Sequence, residues 1–422
     1  MKNTNKTGIG SCRIFRDGVF EFADIDLIDG RAAVKGFSGN AHSAETSSVY
    51  VFPGFTDVHV HLREPGFSYK ETIKSGTYAA ASAGYTALCS MPNLTPPPDC
   101  AANLEIQTKI IQRDAQIKVF PYGTITVGRK GKAVSDMEAI SDKVVAFTDD
   151  GSGVADDEVM REAMKRAAKL GKIIAAHAED LTLIEKDGCI NDCKYAHEHK
   201  LPAISSESEW RQVERDLKLV AETGCSYHVC HISTYETVKL IRRAKAAGLD
   251  VTCETAPHYL LLSDSDLRDD GRFKMNPPLR SERDRDALLE GLSDGTVDMI
   301  ATDHAPHSAD EKSKGLYRSA MGITGLETAF PVLYSGLVKN KIITLEKLVT
   351  LMSVAPAKRF KIKNGLETGN FCVYDLSSEY EIKPEKFYSM GKSTPFEGWK
   401  VNGKCLLTVC DGKTVYDMRA AN

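Results

Sequence analysis

The sequence predicts an α/β protein built around a (β/α)8 TIM barrel, with a small flanking β domain drawn from both termini. Three observations predict it. From about residue 52 to about residue 338, short apolar runs alternate with helix-like segments, the signature of repeated βα units on a parallel sheet. Eight such runs occur, which suits a closed eight-stranded barrel better than an open doubly wound sheet. Toward both ends the pattern changes to alternating apolar and polar residues punctuated by Asp-Gly.

The runs are 55–61, 85–91, 118–125, 144–148, 173–177, 226–232, 250–255 and 297–302. Between them, Val159, Ala163, Met164, Ala167 and Leu170 recur at helical spacing, and Gly171 follows as a C-cap. Ser233-Thr234-Tyr235-Glu236 reads as a capping box, with Val238, Ile241 and Ala244 as the buried stripe before Gly248. Residues 185–208 are longer and more polar than a usual connection and read as a loop insertion near the mouth. Pro96-Pro97-Pro98 is a rigid turn after the second run. Residues 18–36, 371–374 and 405–409 supply the alternating strands of the flanks. The division is therefore 1–52 and 361–422 for the β domain and 53–360 for the catalytic barrel.

Bulk properties exclude several function classes. Lys plus Arg number 54 against 58 Asp plus Glu, a formal charge of -4 without the basic excess of nucleic-acid binders. No run approaches the roughly 18 apolar residues of a membrane span, and Met1-Lys2-Asn3-Thr4-Asn5 lacks the apolar core of a leader. A cytoplasmic protein binding neither nucleic acid nor membrane is expected. The eleven scattered cysteines lack the paired spacing of a disulfide scaffold and read as reduced. Cys189 and Cys193 have no second pair at zinc-knuckle distance, so two loop thiols describe them better. Cys230, directly before His231, is either a nucleophile or a small buried filler, and filler is the commoner use of Cys in strands.

The strongest local signal is Asp57-Val58-His59-Val60-His61 at the end of the first run. Side chains two apart on a strand share a face, roughly 6.6 Å apart along the backbone, so His59 and His61 can converge on one metal. Asp149 or Asp150, His177, His231 and Asp303 stand at the ends of later runs, on the face where barrel active sites are built. A lone strand-end His or Asp is more often a cap or a core hydrogen-bonder; four His and two Asp from five strands form a ligand set. Nitrogen and oxygen donors without thiolate suit Zn2+ or another divalent ion, and six of them suggest two metals sharing a bridge. Periodicity puts Asp149 and Asp150 on opposite faces, and His228 opposite His231, without choosing within either pair.

Taken with His59-Val60-His61-Leu62-Arg63-Glu64-Pro65-Gly66, the segments Met91-Pro92-Asn93, Phe147-Thr148-Asp149-Asp150-Gly151, His228-Val229-Cys230-His231-Ile232-Ser233, Lys274-Met275-Asn276-Pro277-Pro278-Leu279-Arg280 and Ala301-Thr302-Asp303-His304-Ala305-Pro306-His307 resemble the class I bacterial dihydroorotases of the amidohydrolase superfamily. The resemblance covers nearly the whole chain. It implies that His59, His61 and Asp303 bind one metal and His177 and His231 the other, with Asp150 as the bridge. It selects His231 over His228, and turns His304 away from the metals. It further implies that Arg63, Asn93, Asn276 and His307 contact substrate, with the backbone of Met321 and Gly322 against the ring and 308–319 as a mobile loop closing over it. Arg63 offers a two-pronged donor fork for the carboxylate of dihydroorotate.

The activity implied is reversible hydrolysis of (S)-dihydroorotate to N-carbamoyl-L-aspartate in pyrimidine biosynthesis, with one or two Zn2+ per subunit. Metal-bound hydroxide would attack the ring amide while Asp303 shuttles the proton. A homo-oligomer is expected, and association with aspartate transcarbamoylase is compatible with it. Hydantoinases, dihydropyrimidinases and allantoinases are the same-class alternative, but they resemble this chain with a carboxylated Lys where it has Asp149-Asp150-Gly151. A deaminase, suggested by His177-Ala178-Glu179, is more remote. A non-catalytic scaffold is the alternative of another class, and the complete ligand set argues against it.

Overall fold

The computed structural model describes residues 6–28, 31–36 and 47–418. Residues 1–5, on which the expectation of no leader rests, lie outside them, as do parts of the 1–52 and 361–422 flanks. The first flank supplies β1 (Lys6–Arg16), β2 (Val19–Ile28), β3 (Arg31–Gly36) and β4 (Val49–Pro53). Arg16 pairs with Val19 across a two-residue hairpin. Asp17 and Gly18 both take positive φ, 52° and 87°. That is what a hairpin turn matching strand twist demands, and what Asp-Gly supplies cheaply. β4 runs parallel to β1 and carries the chain inward.

Two parallel sheets follow. β5 (Phe55–Val60), β6 (Tyr85–Ser90) and β7 (Lys118–Pro121) form one. β8 (Ile173–Ala176) joins the other, after which β9 (Ile190–Asn191) and β10 (Ala203–Ile204) make a separate small pair. β11 (Ser226–Val229), β12 (Val251–Thr255) and β13 (Met299–Ile300) complete the second sheet in the order β13-β12-β11-β8. Every residue of β5 and β6 is buried, as in parallel strands covered on both faces. Isolated parallel bridges link Gly123 to Phe147, Phe147 to Ile174 and Val60 to His304.

The run 144–148 departs from expectation, since it forms bridges rather than a strand. The reason lies in its neighbour. Gly123 N donates to Ala146 O and Val145 N to Pro121 O, but Pro121 has no N–H for Val144 O. Lys172 Nζ donates to that carbonyl instead, at 2.8 Å. Residues 185–208 are not a plain loop either: β9, β10 and the helix Lys194–His199 fold there. The buried Arg280 ties β9 to β10 through Asn191 Oδ1 (2.9 Å) and Ile204 O (2.8 Å).

The helix Asp157–Lys169 buries Met160, Ala163, Met164 and Ala167 and ends before Gly171, whose φ is 62°. The helix Tyr235–Ala246 buries Val238, Ile241 and Ala244 as expected, but Thr234, not Ser233, is its N-cap. Ser233 is drawn off because its N–H and hydroxyl both donate to the buried Glu209. Among the described residues no helix is long and apolar enough to cross a membrane.

The second flank adds β14 (Phe371–Glu381), β15 (Lys400–Cys410) and β16 (Lys413–Asp417), completing a seven-stranded sheet ordered β16-β15-β14-β4-β1-β2-β3. Asp411 and Gly412 repeat the positive-φ hairpin, at 49° and 75°. Alternation sends Val51 and Val373 into a small core with Ile14 and Val409, and Phe52 and Tyr374 toward the parallel strands. There Phe330 packs 4.5 Å from Tyr374 and 5.3 Å from Phe55, and the Tyr374 hydroxyl donates to Ala83 O at 2.8 Å. Each aromatic pair contributes about 1 kcal/mol beyond its buried area.

Candidate metal centre

Each expected donor sits at the C-terminal end of a parallel segment. His59 is within β5 and His61 just beyond it; Asp150, His177, His231 and Asp303 follow the run 144–148, β8, β11 and β13. Strand geometry alone does not hold them. Asp57 accepts from His59 N (3.0 Å) and Thr302 N (3.1 Å), so a buried carboxylate laces the end of β5 to the end of β13. Arg63, His231 and Asp303 take φ of 63°, 32° and 46°, conformations that cost side-chain-bearing residues about 1–3 kcal/mol and cluster at functional sites.

The donors meet around Asp150. Its Oδ1 lies 3.3 Å from His59 Nε2, 3.5 Å from His231 Nε2 and 3.6 Å from His177 Nδ1, and its Oδ2 lies 3.5 Å from His61 Nε2. Asp303 Oδ1 is 3.2 Å from His61 Nε2 and 3.5 Å from His59 Nε2. Two overlapping groups result, His59 with Asp150 and His231, and His59 with His61 and Asp303. His177 joins through His231, 2.9 Å away. All six side chains are buried.

The donor set fits a divalent cation. His59 Nε2 and Asp150 Oδ1 are buried and have no hydrogen-bond partner among the described residues, an arrangement that is costly unless something positive is coordinated there. Burial works upward on the Asp150 carboxyl, yet His59, His177 and His231 hold it well below the usual range. Burial lowers the His61 pKa to about 4, so that ring presents a lone pair.

Glu254, in β12, escaped the sequence reading. His59 Nδ1 lies 2.7 Å from Glu254 Oε1, which fixes Nε2 as the nitrogen facing the cluster. His228 Nε2 contacts the other oxygen at 3.1 Å, so His228 is spent behind the site while His231 enters it. Burial raises the Glu254 carboxyl, but the His59 and His228 imidazoles outweigh it and hold it low. A buried-strand carboxylate, in the short segment Val251-Thr252-Cys253-Glu254-Thr255, was the available signal. Asp149 is likewise spent, accepting from Ile125 N (2.8 Å), Thr126 N (3.1 Å) and the Thr126 hydroxyl. His304 turns away as expected, its Nδ1 accepting from Gly325 N at 3.2 Å. Cys230 lies near His59 and Glu254, but burial pushes its thiol up to about 12, which suits a filler better than a nucleophile.

A cavity of about 190 Å3 opens onto these donors, and Arg63, Asn93, Asn276, His307, Met321 and Gly322 all line it. Arg63 Nε donates to Pro306 O at 3.1 Å, and its Nη2 lies 3.2 Å from His307 Nε2. Among the described residues Arg63 forms no ion pair with a carboxylate, and burial lowers its pKa only to about 10, so it stays charged at neutral pH. Asn93 Nδ2 donates to Asp150 O at 2.9 Å, and its Oδ1 is buried without a hydrogen-bond partner among the described residues. Asn93 therefore offers the cavity an acceptor as well as a donor. Asn276 Nδ2 donates to Glu179 Oε1 (2.9 Å), whose Oε2 meets His177 Nε2 at 3.3 Å, so one carboxylate orients residues on both sides of the cavity.

His307 Nε2 lies 2.8 Å from Met321 O and its Nδ1 3.2 Å from Lys70 Nζ. The carbonyl must accept and the ammonium must donate, which puts the proton on Nε2 and leaves the Arg63 Nη2 contact to that nitrogen, donor against donor, without a hydrogen bond. Burial, with Arg63 and Lys70, lowers the His307 pKa to about 3, so the ring is neutral. Gly322 has φ 129°, and a Cβ there would stand 2.6 Å from Ala305 Cβ, so only glycine lets this backbone line the cavity. Residues 308–319, expected as a loop, fold into the helical turns Ala309–Lys312 and Gly315–Arg318, the first closed by a Ser308–Glu311 capping box.

A family model described as Dihydro-orotase-like matches residues 49–237. The chain is 47% identical over 414 residues to a dihydroorotase of Bacillus cereus (strain G9842), covering 96% of each chain. It is 46% identical over 414 residues to a dihydroorotase of Bacillus anthracis (strain A0248), again covering 96% of each. Among solved structures it is similar to an L-hydantoinase (dihydropyrimidinase) from Arthrobacter aurescens, with TM-score 0.83 at 25% identity, covering 97% of this chain and 95% of that one. A dihydropyrimidinase from Brevibacillus agri NCHU1002 shares the fold, with TM-score 0.83 at 21% identity over 98% of this chain and 95% of that one.

Proposed function

The chain belongs to the dihydroorotase family, and from that premise we propose that it hydrolyses (S)-dihydroorotate reversibly to N-carbamoyl-L-aspartate. The observation that carries this substrate is Arg63, a charged guanidinium without a carboxylate ion-pair partner among the described residues, lining the same cavity as the candidate metal donors. Hydantoin and dihydrouracil rings bring no carboxylate for it.

His59, His61 and Asp303 would hold one divalent ion and His177 and His231 a second, with Asp150 between them; zinc is the ion we favour. A divalent ion bound there supplies Lewis acidity toward water and the ring carbonyl. Arg63 holds the substrate carboxylate, and neutral His307 steadies Met321 O beside it. Asp303 takes the proton from the attacking water at a carboxylate oxygen and returns it to the leaving ring nitrogen. The ring C–N bond breaks as the new C–O bond forms, and the reverse sequence closes the ring.

The bridges at Phe147 and between Val60 and His304 support reading the two parallel sheets as one closed (β/α)8 barrel across 53–360, with 1–52 and 361–422 as the β domain. Eleven free thiols support a reducing, cytoplasmic setting. A homo-oligomer, and association with aspartate transcarbamoylase, complete the proposal for this family member. The test is turnover by the purified, metal-supplied protein: consumption of dihydroorotate but not of hydantoin, dihydrouracil or allantoin. Turnover of those rings with none of dihydroorotate would reverse the assignment.

A further inference from the structure

Lys312 has no role in the scheme above, yet its side chain is buried and forms no ion pair among the described residues. Its ammonium donates to Lys274 O (3.0 Å), Ala320 O (2.7 Å) and Gly322 O (2.7 Å). An ammonium has three N–H donors, and three main-chain carbonyls use all of them. Burying a cation without an anionic partner is expensive, so a purpose for the charge is to be sought.

The three carbonyls belong to the two segments that line the substrate side of the cavity. Lys274 lies two residues before Asn276, and Ala320 and Gly322 flank Met321. Gly322 N also donates to Lys274 O at 3.1 Å, so the two segments are joined to each other and to Lys312. With the carbonyls on either side turned to the ammonium, Met321 O is left to accept from His307 Nε2.

We propose that Lys312 is a positioning residue for substrate binding: its buried ammonium gathers the carbonyls of Lys274, Ala320 and Gly322 and so sets the Met321 and Gly322 backbone, with His307, to receive an anionic ring. Burial lowers the Lys312 pKa to about 7, Lys274 adding to the fall and Asp270 and Glu311 opposing it, so an anion entering the cavity favours the charged form. The charge also reaches the cavity, where it is among the cations that keep His307 neutral.

This rests on the substrate reading above, and the test separates the two. Lys312→Met should raise KM for dihydroorotate about tenfold or more while kcat stays within about threefold and metal content is unchanged. Hydrogen exchange should quicken in the 313–326 peptide of the variant without substrate, a readout that needs no turnover. An unchanged KM, or a fall in kcat at constant KM, overturns the inference, as does exchange identical to that of the unmodified chain. If Lys312→Met does not fold, Lys312→Gln, which keeps two donors, should raise KM about threefold or more over the unmodified protein, and dihydroorotate should slow exchange at 313–326 in the unmodified protein. Absence of both effects overturns the inference equally. An unmodified protein inert toward dihydroorotate but with loosened exchange in the variant would instead sink the substrate reading and leave the clamp standing.

Discussion

The two walls of the cavity are held by different means. On the metal side, imidazoles and carboxylates project from segment ends and are oriented by other side chains, Glu254 behind His59 and Glu179 behind His177. On the substrate side the Met321 and Gly322 backbone joins the side chains of Arg63, Asn93, Asn276 and His307, and it is tied by the Lys312 ammonium, by Gly322 N to Lys274 O and by the bridge from Ile323 to His304. The first wall can be altered one donor at a time. The second shifts as a unit, because its carbonyls share their tethers.

That contrast sets the order of the mutational effects. Asp303→Asn should lower kcat about 10^3-fold, because the amide cannot take the proton, while bound metal measured by elemental analysis is at least partly retained. Undiminished turnover would remove Asp303 as the proton carrier. Glu254→Gln should weaken metal affinity about 10–100-fold in a chelator competition, since the His59 ring loses the carboxylate that fixes its orientation. Affinity unchanged would mean that the metal wall is held by its strands alone. Arg63→Ala should raise KM for dihydroorotate about tenfold with metal content intact, the loss of one charge-assisted contact to the substrate carboxylate. A normal KM would reassign the carboxylate site to another group.

The same contrast governs what could be read in advance. The meeting of His59 and His61 was legible because strand alternation puts i and i+2 on one face, and that of the candidate donors after later runs because the C-terminal ends of parallel segments face the same way. Alternation alone could not choose Asp150 over Asp149; that depends on Ile125 and Thr126, which hold Asp149 from a different segment. Lys70 and Lys312 were invisible for a deeper reason. Their acceptors are an imidazole and the Glu311 carboxylate for Lys70 and main-chain carbonyls for Lys312, all brought near only by folding, and no spacing in the chain records which acceptor a lysine will meet. Ser233 misled by satisfying a local rule, the capping box, while Glu209, twenty-four residues upstream, offered it a stronger partner. The run 144–148 has a strand's composition, but Pro121 beside it cannot return one main-chain bond. Local patterns foretold most of the elements and the residues that gather at the candidate metal centre, and tertiary competition decided the exceptions.

The left-handed backbone at Arg63, His231 and Asp303 carries a consequence for variation in this protein. Glycine at any of the three would relax the main chain and delete the functional group in the same stroke, so the tension there is inseparable from the chemistry. Selection for thermal resilience alone would therefore push these positions toward loss of function. Hardier forms of the protein must draw their extra resilience from elsewhere, and the aromatic seam of Phe52, Phe55, Phe330 and Tyr374, none of which lines the cavity, is one place for such gains.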